Sequence, residues 1–189
     1  MGLNYGSPMA YGSTELLIDY DAATTSELQC KTTVWAAQGF LTPAAQVIIR
    51  SISLECYNIG AIDTTLTALI RAADALHKPT GGDLSSGSIP TSPIPGPPST
   101  WHNVPITPVL LSPSTEYCVV FHIPNVGDNF HHIKWDSANA HIATVIASQS
   151  SDSGVTWTAQ AGFDQNMRIY GQNLLTGQPT YFKNGYRAK

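Results

Sequence analysis

Ile48-Ile49-Arg50-Ser51-Ile52-Ser53-Leu54-Glu55-Cys56-Tyr57 places apolar side chains at Ile48, Ile52, Leu54 and Cys56, and polar ones at Ser51, Ser53 and Glu55. Successive side chains of an extended chain point to opposite faces, so this alternation predicts a strand with one face in a core and the other in water. Thr64 to Ala72 repeats the pattern on Leu66, Ala68, Ile70 and Ala72. Between the two runs, Asn58 to Asp63 has the length and composition of a hairpin loop.

Working outward, the same reading predicts strands over Thr33 to Phe40, Trp101 to Thr107, Thr115 to Ile123, Phe130 to Trp135, Ala140 to Ser148, Val155 to Gln160 and Phe163 to Tyr170. In Thr115 to Ile123, Tyr117, Val119, Phe121 and Ile123 alternate with Cys118, Val120 and His122, which predicts a central strand. Ala36 to Phe40 and Arg71 to His77 have some helical character but are too short to stand as helices. Residues 78–100 hold a run of Pro and Gly that predicts an irregular connection, crossing between sheets or lying on the surface. Strands at this spacing predict an all-β, jelly-roll-like antiparallel sandwich. The expected organisation is an N-terminal arm at 1–28, for which a first edge strand of the same sandwich is the plainer alternative, a β-sandwich domain at 29–171 and a C-terminal tail at 172–189, the tail rich in Tyr181, Phe182 and Tyr186.

The 189 residues are 42% hydrophobic and only 12% charged, with a formal net charge of −4. A core for one domain is therefore available, and the surface relies on Ser, Thr, Asn and Gln. The acidic balance and the lack of any Lys/Arg stripe argue against nucleic acid held through its phosphates. The apolar runs fall short of the roughly 20 residues that a spanning helix needs, so no membrane partner is expected. The first residues have neither the basic head nor the apolar stretch of a secretory signal, from which a mature form or a chain not exported through a secretion channel is expected. Cys30, Cys56 and Cys118 have no metal-ligand spacing and read as buried thiols, a Cys56–Cys118 bridge being the alternative.

Ser150-Ser151-Asp152-Ser153-Gly154-Val155-Thr156-Trp157 matches the Asp-box pattern Ser-x-Asp-x-Gly-x-Thr-Trp. In such a turn the carboxylate accepts backbone N–H groups, the glycine takes a positive φ and the tryptophan packs under the hairpin. Ser150, Asp152, Gly154, Thr156 and Trp157 are therefore assigned a structural role, a single copy indicating a hairpin and not a sialidase-type propeller.

No nucleophile with a base, paired carboxylates, phosphate loop or metalloprotease helix is assembled by the sequence, and no catalytic residue, metal or cofactor is expected. Adjacent His131 and His132 would point to opposite faces of a strand and so cannot share a tetrahedral metal site, whereas His132 and His122 could pair across strands. Asp63, Asp74, Asp83 and Asp128 sit in loops without the alternating acidic run of a calcium loop. Tyr57, Trp101, Trp135, Trp157 and Tyr170 fall at strand ends or opposite the apolar set, where flat rings beside polar groups suit stacking on sugars; Trp101, Trp135 and Tyr57, with His132, are the candidate carbohydrate-binding residues, a place in the core being the alternative for the rings.

The order of several phrases resembles the choice-of-anchor type of β-sandwich domain found in prokaryotic surface proteins and phage virion proteins. They are Gln38-Gly39-Phe40-Leu41-Thr42-Pro43, Ile49 to Leu54, Thr67 to Asp74 with Lys78 to Gly87, Leu111 to Tyr117, His132 to Trp135, the Asp-box, and Met167 to Gly171. The resemblance spans about residues 37–171 and implies a non-enzymatic module for adhesion or assembly, without supplying a catalytic residue. The expected function is a virion structural protein, a capsid decoration or tail component on the virion surface. It would assemble as a homo-oligomer with other virion proteins through its terminal extensions. The alternative is a carbohydrate-binding or adhesion module, extracellular or on a cell surface, with a glycan as partner.

Overall fold

A computed structural model describes residues 14–21, 26–60, 64–124, 130–136 and 145–174. Thirteen strands and no helix occur among the described residues. They are β1 (Glu15–Tyr20), β2 (Ser26–Cys30), β3 (Trp35–Leu41), β4 (Gln46–Ile59), β5 (Thr65–Ala73), β6 (Pro79–Pro90), β7 (Thr100–Leu111), β8 (Glu116–His122), β9 (Phe130–Asp136), β10 (Ala147–Ser150), β11 (Thr158–Gln160), β12 (Asp164–Gln165) and β13 (Met167–Leu174). A seven-stranded sheet runs β1-β13-β4-β9-β12, with β7 on the other side of β4 and β2 on β9; a six-stranded sheet runs β11-β10-β3-β8-β5-β6. Every pairing is antiparallel, which makes the protein an all-β sandwich.

The alternation along β4 is real but changes phase once. Ile52, Leu54 and Cys56 face the core as their spacing predicts, yet below Ser51 it is Val47 and Ile49 that are buried, and Ile48 is only half-buried. The pairing of β4 with β7 shifts between Ile49 and Ser51, and that with β13 between Tyr170 and Gly171. Against β13 the strand carries one extra residue, Arg50, whereas against β7 the surplus lies on β7; across this bulge the inward parity of β4 reverses. The core closes between the sheets on Phe40, Ile70 and Phe121 from one side and Ile52, Leu54, Met167 and Ile169 from the other. β8 is central as expected, hydrogen-bonded to β3 and β5. Its second apolar parity serves a separate small cluster, in which Ala37, Leu69 and Val120 lie on the outside of the six-stranded sheet beneath Trp35 and Trp157.

One buried polar side chain ties the layers together. Gln38 on β3 donates from Nε2 to Asp164 Oδ1 at 3.1 Å and accepts the Gln165 N–H at Oε1 at 2.8 Å, while Gln165 Nε2 donates to the Ala37 carbonyl at 3.1 Å. A buried amide satisfied at both ends fixes the relative setting of two strands more sharply than apolar packing does.

Three expectations are corrected. Asn58 to Asp63 is not a hairpin, because β4 and β5 belong to different sheets; the connection crosses the sandwich, and residues 61–63 lie outside the described residues. Residues 79–90, expected to be irregular, form β6. Its prolines fall at the strand's two ends, where no ladder N–H is lost, and it is an edge strand whose backbone ladder is made with β5 alone. Only 91–99 is irregular, and that segment carries the chain from the six-stranded sheet to β7 in the other.

The third correction concerns the arm. Its described part is strand: β1 runs along β13, and β2 runs in the same direction along β9, so these two strands form one margin of the seven-stranded sheet. Tyr20, Leu28 and Cys30 are buried from this margin. Likewise the expected boundary at 171 moves, since β13 continues to Leu174. Residues 1–13 and 175–189, the remainder of the expected arm and tail, lie outside the described residues.

The opposite margin is closed. Ser85 Oγ on β6 donates to the Thr107 carbonyl on β7, and a Cβ placed on Gly87 would lie 1.8 Å from the Pro105 carbonyl oxygen. Only a residue without a side chain lets these two backbones meet, so the sandwich is sealed at β6–β7.

Candidate binding surface

β2, β9, β4, β7 and β13 present their outward side chains on one broad polar face, and three of the four proposed carbohydrate-binding residues lie on it. Register explains the grouping: Tyr57 is opposite His132, Glu55 opposite Trp101, Ser53 opposite both Asn103 and Arg168, and Ser51 opposite Tyr170.

At one end of this face Glu27 is a hub. Its carboxylate accepts Tyr57 OH and Lys134 Nζ, and His132 Nδ1 lies 2.7 Å from Oε2. The Tyr57 and His132 rings are stacked, 4.6 Å apart and 9° from parallel. Burial works to raise the Glu27 pKa, but the hydrogen bonds from Lys134 and Tyr57 prevail and hold it below its ordinary value. Burial, reinforced by the Glu27 charge, pushes the Tyr57 phenol up to about 12. This set is a closed network binding β2 to β9 and β4. The Tyr57 ring is 7% exposed and offers no stacking face.

Nearer the centre, the Arg168 guanidinium carbon lies 4.0 Å over the Trp101 ring centroid. The same side chain donates from Nε to Asp19 Oδ1 at 3.0 Å and from Nη2 to Asp21. One ring face of Trp101 is thereby covered by a cation. Below this pair the small side chains of Ser51 and Ser53 leave a groove of about 340 Å³, lined also by Thr14, Asn103 and Tyr170.

Trp135 does not join the face. Its side chain is 7% exposed, belongs to the core and packs on Phe163 with ring centroids 4.8 Å apart, because on β9 it shares the inward parity of Ile133. A sugar platform that includes Trp135 is therefore excluded on geometry.

The Asp-box hairpin joins β10 to β11. Ser150 Oγ donates to Asp152 Oδ1 at 2.7 Å and accepts the Gly154 N–H at 2.8 Å; Asp152 accepts the Thr156 N–H at 2.8 Å and the Thr156 hydroxyl at 2.6 Å. These donors, the Thr156 hydroxyl foremost, bring the Asp152 carboxyl down to about 2. Gly154 has φ of 81°, and a Cβ there would meet the Trp35 ring at 2.6 Å. The turn thus presses on Trp35, and Trp157 covers the outer cluster of the six-stranded sheet. Trp35 was not singled out as a site residue from the sequence, yet it stacks on His122 at 4.2 Å and has Arg71 5.9 Å from its ring. Burial depresses the His122 pKa, keeping it a neutral stacking partner.

The remaining candidates are dispersed. His122 lies outside one sheet and His132 outside the other, so the expected cross-strand pair does not form. The side chains of His131, His141, Asp63 and Asp128 lie outside the described residues. Asp74 caps its own turn by accepting the Leu76 and Lys78 N–H groups, and Asp83 pairs with Arg71 at 2.6 Å. Cys30, Cys56 and Cys118 are buried free thiols. Burial raises all three, Cys56 to about 12. Glu27, Lys134 and Arg168 carry no local sequence signal, since their roles depend on strands distant in the chain.

No family model and no curated protein matches this chain in sequence.

Proposed function

We propose that this protein is a non-enzymatic structural subunit of a particle surface, a capsid decoration or tail component of a virion, which assembles with copies of itself through the β1–β13 margin and the segments attached to it. One observation carries the reading. β1 begins where β13 ends: Glu15 is opposite Gly171, and Asn173 Nδ2 donates to Glu15 Oε1 at 2.6 Å. The described ends of the chain before β1 and after β13 therefore lie at one corner of the sandwich. At this corner β1 is hydrogen-bonded on one side to β13 among the described residues, and it exposes Leu16. A strand edge with two flanking chain segments is suited to pairing with a neighbouring subunit, whereas the β6–β7 margin is sealed. The resemblance to choice-of-anchor sandwich domains and the low charge agree with a close-packed surface protein.

The test is the mass in solution, by light scattering, of the full chain and of a form cut to residues 14–174. The cut must stop there because removing residues to 28 would delete β1 and withdraw Tyr20 and Leu28 from the core. A defined oligomer that falls to monomer on cutting is expected. A full chain that stays monomeric at every concentration overturns the reading.

A further inference from the structure

We infer that the groove between Asn103 and Tyr170 on the outer face of the seven-stranded sheet is a binding site for a neutral sugar. The inference stands apart from assembly, since a monomer would bind as well as an oligomer.

The groove exists because short side chains lie between tall ones. Ser51 and Ser53 on β4 form the floor, Asn103 on β7 and Tyr170 on β13 form the sides, and Thr14 borders it. The Trp101–Arg168 pair stands on the same face, with Arg168 opposite Ser53 in the ladder, but does not line the groove. A volume of about 340 Å³ is at the small end of the range for ligand pockets, roughly 300–1,000 Å³, and suits one or two sugar rings.

Its chemistry is that of polyhydroxyl recognition. Ser53 Oγ donates to Asn103 Oδ1 at 3.2 Å, which orients the amide across the groove. Among the described residues, Ser51 Oγ, Asn103 Nδ2 and Tyr170 OH make no hydrogen bond to another side chain or to backbone. Three hydrogen-bonding groups on three strands thus converge without partners on one depression, while the Glu27 hub and the Arg168 pairs on the same face are closed networks. Tyr170 is half-buried and adds an aromatic side against which the C–H face of a pyranose can pack.

The ligand's charge follows from the lining. Among the described residues no charged side chain lines the groove, and Arg168, opposite Ser53 on the same face, is paired with Asp19 and Asp21. An anionic sugar would find no counter-charge. A neutral one satisfies hydroxyl and amide groups without desolvating an ion.

The experiment applies the labelled full chain to an array of neutral, sialylated and sulfated oligosaccharides. The retained glycan is then titrated by calorimetry against the parent protein, Asn103→Ala and Tyr170→Ala. Asn103 is exposed, so its replacement leaves the fold unchanged, and thermal midpoints check this for both variants. A neutral glycan is expected to bind and to weaken about tenfold with Asn103→Ala, the factor that one well-placed hydrogen bond supplies. Retention of acidic glycans alone overturns the neutral class. Retention of none, or equal binding by correctly folded variants, overturns the site.

Discussion

The guanidinium of Arg168 lies over the ring of Trp101, with Cζ 4.0 Å from the ring centroid. The two residues stand on β13 and β7, on opposite sides of β4, and the bonds from Arg168 to Asp19 and Asp21 extend the bridge to β1 and the residue after it. One side chain therefore spans four neighbouring strands.

Arg168→Ala is expected to lower stability by about 1–2 kcal/mol, the sum of one cation–π contact and exposed ion pairs discounted for solvent screening. The loss should be local first. Hydrogen exchange would show the β1 amides losing protection before those of β4, and Arg168→Lys would recover only part of the effect because an ammonium cannot stack and pair at once.

Two tryptophans on the same sheet should behave oppositely. Trp135→Ala removes a core ring packed on Phe163 and is expected to cost about 3–5 kcal/mol in urea unfolding. Trp101→Ala removes a half-exposed ring and should cost about 1 kcal/mol, mostly through the lost contact with Arg168.

Gly87→Ala tests the seam between the sheets. A methyl group would overlap the Pro105 carbonyl oxygen, so β6 and β7 must separate, at a cost of about 1–3 kcal/mol. Gly82→Ala is the control, because a Cβ there meets nothing within 4 Å. A thermal melt of both variants should show a marked drop for the first and little change for the second.

Asp152 should titrate near 2 when followed by NMR of its carboxyl carbon, against an ordinary value of 3.8. Its folded-state value is depressed, so the stability it contributes is present above about 4 and is lost as pH falls through about 2. Thr156→Val removes the foremost cause, the hydroxyl bond, and should move the titration upward toward the ordinary value.

Much of the candidate surface was legible as residues but not as an arrangement. Trp101, Tyr57 and His132 do share a face, and the Asp-box closes by the bonds its pattern implies, because those contacts span four residues or fewer. Trp135, a candidate for sugar stacking by its sequence surroundings, lies in the core, because the polarity of its neighbour Lys134 does not reveal which parity faces inward. The groove had no local signal at all: Ser51, Asn103 and Tyr170 meet only because β7 and β13 flank β4.

The amino-acid sequence by itself determined central strands such as β4, β5 and β8, their alternation and the Asp-box turn, because each depends on residues within a few positions of one another. Tertiary structure alone decided that β4 and β5 part into different sheets, that residues 79–90 serve as an edge strand and that the described part of the arm is a sheet margin. It also decided which side of each sheet meets water. The physical reason is that a period of two specifies two faces without naming them. The choice between the faces, and of the neighbour on either edge, is settled by long-range pairing and by bulges such as the one at Arg50, which reverses the phase of everything beyond it.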